Sequence, residues 1–428
     1  MLEFDAEPVL QRIMFGQIIP ISALILGSAF LMIAGGINGL ILPLRGSIEG
    51  FSAFSLGMLG TGWAIGYVLG CILVPNVVAR VGHVRSFSVM AAIAVISVLL
   101  SLLIIHPAAW IPLRALAGFS FAGGAMIVES WISERTDPSF RGRVFATYTM
   151  VNLAATTIGQ LLLIMGDASG YLFFILAAVF YACSLFPTAL STTTAPLPLV
   201  QPKLDLKILW RNSPIAVVAV FLVGVSNSSF GTLAAVYGQQ IGLDVASIAF
   251  LVSITILTGA LFQLPVGWLS DRTDRRAVLI GLALIAGLTD LFFMIMQPRD
   301  VTVVLIVAAI FGAMIYAMYP VIVAHANDHA DKDSFLTISS GLLLVFGAGS
   351  IIGPLIGGGM MAVLGPDFLF GPTLLSHLVM AGFAAWRMTK RAAVEEEEKG
   401  DFVSSSTVRM NTPETAMLDP RTDEDQAP

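Results

Sequence analysis

Charged side chains are scarce in this chain: Asp, Glu, Lys and Arg make up 12% of 428 residues, while 57% are hydrophobic. A soluble domain of that length lacks the polar surface to cover so many apolar side chains, and a mean hydropathy of +0.88 makes a bilayer the solvent. Cysteine is rare as well. Cys71 and Cys183 both fall inside apolar runs, which suggests neither a disulfide framework nor a cysteine-based metal site. The five histidines are scattered; His325 and His329 form a metal pair only if their helix continues past Asn327 and Asp328, so no metal is expected. No glycine-rich loop ending in lysine is present to cradle a phosphate, which argues against ATP-driven chemistry, and no cofactor or nucleic-acid partner is called for. The amino end carries Glu3, Asp5 and Glu7 where a cleaved signal peptide would carry a basic patch.

The alternating polarity that membrane-barrel strands need is also missing. In its place are twelve apolar runs, each read as a membrane-spanning helix, at residues 18–42, 55–78, 86–106, 109–132, 144–165, 171–191, 214–237, 247–269, 277–296, 301–325, 335–362 and 368–388. Apart from Arg45, Arg299 and the intramembrane Arg114, all 22 basic residues fall in alternate loops and termini on one side of such an array. Basic loops face the cytoplasm, so both termini are expected there.

A faint internal repeat organises the runs. Gly46, Gly50, Ser55 and Arg80 match Gly238, Gly242, Ser247 and Arg272 at one constant offset, and Phe145, Thr147 and Gly159 match Phe335, Thr337 and Gly349 at a slightly shorter one. Repeated halves meeting at a central site are a transporter architecture. The expected organisation is a cytoplasmic segment at 1–17, a six-helix bundle at 18–191, a cytoplasmic linker rich in Thr and Pro at 192–213, a second bundle at 214–391, and a tail at 392–428. Glu395 to Glu398 make that tail acidic, and its few apolar residues predict disorder.

The pattern Gly267-x-x-x-Asp271-Arg272-x-x-Arg275-Arg276 resembles the signature of the major facilitator superfamily between the second and third helices of a half, with Asp274 where a small glycine is usual. In the first half the same loop is degenerate, with Pro75 and Ala79 replacing the Gly and the Asp while Arg80, Gly82, His83 and Arg85 remain. Arg114 with Gly118 and Gly123 resembles the superfamily's fourth-helix pattern. Glu129-Ser130, Arg141-Gly142-Arg143, Gly159-Gln160-Leu161-Leu162 and Gly353-Pro354 are similar to the YcaD-like subfamily of bacterial inner-membrane members. The resemblance covers residues 15–391. It implies an all-α membrane fold of two pseudo-symmetric six-helix bundles, alternating access, and residence in a bacterial inner membrane.

Candidate gating and binding residues follow. Asp271 would meet the positive amino end of the helix beginning near Arg143, bonding Arg141 or Arg143 as a cytoplasmic latch together with Arg272, Arg275 and Arg276. Arg80 and Arg85 would face Asp331 and Asp333 across the other side; the alternative is that these charges only fix topology. Gly353 and Pro354, within a run of glycines from Gly347 to Gly359, read either as a flexing gate helix or as tight packing. Arg114 reads either as an anion or gating contact or as a bond to backbone carbonyls, and Glu129 as a proton-coupling acid or a gate salt bridge to a loop arginine. On the spans that line the pathway in this superfamily, Asn38, Trp63, Tyr67, Asn152, Gln160, Asn227, Gln263, Tyr316 and Tyr319 are candidate cavity residues. Together these predict a monomeric secondary transporter of a small organic solute, neutral or weakly anionic, with protons as the candidate coupling ion. A transport-fold sensor or assembly factor and a membrane-embedded enzyme are the readings from other classes.

Overall fold

A computed structural model describes residues 6–137, 140–189, 199, 205–330, 335–392, 394, 397, 399–400, 402–403 and 411–418. The first half consists of α1 (Ala6–Ile48), α2 (Ala53–Val81), α3 (His83–Leu103), α4 (Pro107–Arg135), α5 (Arg141–Leu161), α6 (Leu172–Cys183) and a short α7 (Leu185–Ala189). After a connecting α8 (Leu206–Asn212), the second half runs through α9 (Pro214–Gln240), α10 (Val245–Arg272), α11 (Arg275–Met296), α12 (Val301–Asn327), α13 (Phe335–Leu364) and α14 (Phe370–Met388). Among the described residues eleven helices are long and apolar enough to cross a membrane, and a shorter apolar helical stretch, Leu172–Pro187, takes the sixth position. The sixth run was expected to continue to residue 191; its helix breaks at Ser184, whose hydroxyl donates to the Tyr181 carbonyl at 2.7 Å. Most of the predicted linker lies outside the described residues, and α8 is its one described helix, capped by Asp205.

Local chemistry explains the repeat. Gly50 and Gly242 both adopt positive φ, 78° and 88°, at the turn that follows the first helix of each half. Ser52 and Asp244 then cap the next helix by accepting from the backbone N–H of Ser55 and Ser247. The matched glycines and serines are thus one turn-and-cap device used twice.

Small residues set the packing. α1 pairs with α5 as α9 pairs with α13, α2 with α4 as α10 with α12, and α3 with α6 as α11 with α14. A Cβ on Gly159 would lie 2.3 Å from the Ile33 carbonyl oxygen, and one on its repeat partner Gly349 would lie 2.1 Å from that of Phe221. Only glycine permits such an approach. The second half is further consolidated by aromatic rings, with Phe293 stacked on Phe370 at 4.2 Å and Phe230 edge-on to Phe311 at 5.0 Å.

The helices alternate in direction, so Arg80, Arg135, Arg272, Arg275 and Arg387 share one end of the bundle, here called the basic end. At the far end the halves are packed together. The Ser47 hydroxyl donates to the Gln239 side chain at 2.7 Å, a pair separated by 192 positions, the same offset that relates Gly46 to Gly238. Thr61 donates to the Ile351 carbonyl at 2.7 Å, and Ser253 to Gln160 at 3.1 Å. α13 also packs on α2, where a Cβ on Gly57 would fall 2.2 Å from the Pro354 carbonyl oxygen.

Candidate functional site

Between the halves, above the middle of the bundle toward its far end, lies a cavity with about 1100 Å³ of space not filled by protein atoms. Its wall is mostly apolar, with polar character from Arg114, Gln160, Thr156, Tyr181, Thr232 and Tyr316, and Trp63 on one side. Both halves contribute. α4 carries Arg114, 7% exposed, into this wall two turns after its Pro107 start. Trp63 is ordered by stacking on Tyr67 at 5.1 Å and by Phe121 at 5.8 Å.

Of the predicted cavity residues, Trp63, Arg114, Gln160 and Tyr316 line this space. Others bind helices to one another. Asn152 accepts from Ser28 at 2.8 Å between α5 and α1, Asn227 donates to the Ile315 carbonyl, and Gln263 donates to that of Tyr316. Asn38 is buried near Tyr181, and Tyr319 meets Phe346 edge-on. Tyr181, Thr156 and Thr232 were missed. Thr156 lies one turn before Gln160, a signal the sequence does carry; Tyr181 sits in an otherwise apolar run that reads as lipid-facing.

The buried acid of α4 is elsewhere. Glu129, 1% exposed, lies toward the basic end, where its carboxylate accepts from Tyr148 at 3.0 Å and from the hydroxyls of Thr412 and, at 2.9 Å, Thr415. Its partners are hydroxyls, not the loop arginine considered from sequence. Two of them belong to the tail, which was expected to be disordered. The described tail residues 411–415 are instead buried, and the Tyr67 hydroxyl donates to the Asn411 carbonyl. Scarcity of apolar groups was the basis for expecting disorder; a desolvated carboxylate that needs donors supplies the partners that apolar contacts would not.

The signature loop is a network of its own. Arg275, 1% exposed, donates to Asp328 at 2.6 Å and to Asp271 at 2.9 Å, and also bonds the Gly400 carbonyl. Asp271 further accepts from the Phe402 N–H at 3.4 Å, and the Phe402 ring lies against Gly267. Arg272 stacks over Trp268 at 4.4 Å. Asp274, the departure from the signature, caps α11 through the Arg276 N–H and pairs with the Arg276 guanidinium at 2.8 Å. Burial raises the Asp274 carboxyl, but the hydrogen bonds and charge of Arg276 win and hold it below its ordinary value. Arg80, Arg85 and Arg143 are exposed at the basic end and Arg141 is half-buried there; Asp331 and Asp333 lie outside the described residues.

Two matched helical halves that enclose a cavity bearing a buried arginine, in a chain of bilayer-spanning helices, define a multi-pass membrane transport protein. The chain belongs to the Major Facilitator Superfamily, whose model matches residues 24–259 and 216–412. It is 25% identical over 360 residues to the uncharacterized MFS-type transporter YcaD of Escherichia fergusonii, covering 82% of this chain and 91% of that protein. The YcaD of Shigella flexneri is likewise 25% identical over 368 residues. Among solved structures, that of the nucleoside transporter NupG shares the fold with a TM-score of 0.73 at 13% identity, covering 87% of this chain and 99% of that one. A bacterial homolog of the human lysosomal transporter Spinster does so with a TM-score of 0.69 at 17% identity, covering 89% and 97%.

Proposed function

We propose that the protein is a secondary transporter that moves a small organic solute, neutral or weakly anionic, by alternating access through the central cavity. The observation that carries this reading is Arg114, the charged side chain on the wall of a mostly apolar cavity between the halves, beside Trp63 and Gln160. A buried guanidinium favours a carboxylate or a polarised carbonyl, and the aromatic wall favours a flat or apolar body. The distribution of basic residues supports both termini being cytoplasmic, and the similarity to bacterial YcaD supports a bacterial inner-membrane location. On that orientation the basic end is cytoplasmic, and the packed far end makes this an inward-facing conformation.

Closing the cytoplasmic side would bring the amino end of α5, with Arg141 and Arg143, to Asp271, while Gly353 and Pro354 let α13 adjust between α9 and α2. Glu129, the buried acid within α4, is the candidate for proton coupling. The experiment is a thermal-shift screen of the purified protein against small organic acids and neutral compounds, followed by flux of each hit in liposomes with and without a pH gradient. Flux of a hit that Arg114→Ala no longer binds supports the reading. Hits that bind at the cavity with no flux in either condition would instead make the protein a sensor.

A further inference from the structure

The carboxyl-terminal tail touches both halves at the basic end, through two separate stretches. Lys399, Gly400 and Phe402 lie on the second half: the Lys399 ammonium donates to the carbonyls of Asp271 at 3.3 Å and Thr273 at 2.6 Å, the Gly400 N–H donates to Asp328 at 3.2 Å, and Phe402 covers Gly267. Residues 411–415 lie between the halves. The short turn of helix Pro413–Leu418 packs on α4 and α5 of the first half and on α13 of the second. Asn411, Thr412, Glu414 and Thr415 are 2–8% exposed, the burial of core residues rather than of a solvated tail.

The fit is chemical as well as steric. Glu129 sits inside a membrane-spanning helix and needs hydrogen-bond donors. Tyr148 supplies one and the tail supplies the other two, Thr412 and Thr415. The tail turn is itself fixed for this task, since Thr412 accepts from the Glu414 N–H at 3.2 Å and its own N–H donates to Thr415 at 2.7 Å. Phe402, through its ring on Gly267 and its N–H on Asp271, occupies the place on the signature loop that a closing helix end would need.

We propose that the tail, anchored by Lys399, Gly400 and Phe402 and by residues 411–415, is a tethered plug: it fills the mouth between the halves at the basic end, with Glu129 as its receptor, and holds that side apart until it leaves. The bundle can then close at this end only after the hydroxyls on Glu129 and the ring on Gly267 are withdrawn. Transport is under the control of whatever displaces the tail.

The test uses the full chain and needs no solute, so its failure is distinguishable from a failure of the transport reading. Spin labels are placed by Arg135→Cys and Ala416→Cys in a Cys71→Ser, Cys183→Ser background, and the distance between the end of α4 and the tail is measured. A single short, narrow distribution is expected. Thr412→Asp with Thr415→Asp sets carboxylates against Glu129 and should broaden and lengthen it. These substitutions alter none of the membrane-spanning helices themselves, so unchanged circular dichroism is expected alongside. A second reading uses native Cys71, 1% exposed and next to Tyr67, whose hydroxyl the tail holds. Its alkylation by a maleimide, with Cys183→Ser, should be at least about tenfold faster in the double Asp variant. A broad distance distribution in the unsubstituted tail, or a distance and a Cys71 rate that the double Asp variant leaves unchanged, would overturn the plug.

Discussion

Asp290 and His377 illustrate what a buried polar residue does when no ligand is near it. Asp290 pairs with His377 Nδ1 at 2.6 Å and accepts from Thr373 at 2.7 Å, while His377 Nε2 meets the Ser226 hydroxyl at 3.0 Å. All four side chains are 0% exposed, so the group staples α11, α14 and α9 and has no route to a solute. Asp290→Ala strands the histidine and should cost about 3–5 kcal/mol, whereas the double change Asp290→Ala with His377→Phe should recover part of it. Thermal unfolding in detergent measures both, and a loss of only about 0.5 kcal/mol in the single variant would show that the staple carries nothing. Asp274 gives a pH dependence. Its carboxyl is held below its ordinary value in the folded protein, so its stabilising share is present above about pH 4, the unfolded Asp value, and disappears as pH falls through the lower folded one. The stability difference between the parent and Asp274→Asn should therefore shrink on acidification; a difference that grows would reverse the assigned sign.

At the scale of the helices, glycine decides where two backbones meet. On α13 a Cβ at Gly353 would lie 2.2 Å from the Val225 carbonyl oxygen, against helix backbone that cannot rotate away. Gly353→Ala should push α13 from α9 and cost about 1–3 kcal/mol. Gly281 on α11 meets nothing within 4 Å, so Gly281→Ala should be neutral or stabilise by up to about 1 kcal/mol. Equal effects of the two on thermal stability would sink the contact argument. The spans themselves were legible because apolarity and length report burial in lipid directly, and Gly50 and Gly242 announced their turns. Helix ends were less so: α1 runs to Ile48, beyond the expected 42, because backbone hydrogen bonding continues where apolarity stops. The site was legible in part. Arg114 stood out as a charge within a span, but whether Asn152 or Gln160 faces the cavity depends on helix rotation, and which residues occupy Glu129 depends on a tail whose composition gives no hint of a buried site.

Opening and closing of the whole molecule must be reciprocal if the cavity is used in turn from each side. In this conformation the far end is held by Ser47 on Gln239, Thr61 on the Ile351 carbonyl and Ser253 on Gln160, together with the glycine contacts of α2 on α13. Each of these joins one half to the other, so each is lost when that end opens, and each belongs to the difference between the two conformations. Ser47→Ala and Ser253→Ala should each remove about 1 kcal/mol from far-end closure, and the pair should shift the population ratio by roughly 5- to 150-fold toward the form open at that end. Gln239 and Gln160 stay in place, and the far end becomes wet on opening, so neither is left buried without a partner. Spin-label distances across the far ends of α1 and α9, and across the basic ends of α5 and α10, measured in a Thr412→Asp, Thr415→Asp background that withdraws the tail, report the two sides separately. The first should lengthen as the second shortens, in the same fraction of molecules. A far end that loosens while the basic end stays apart would mean that the two sides move independently, and alternating access would have to be abandoned for this chain.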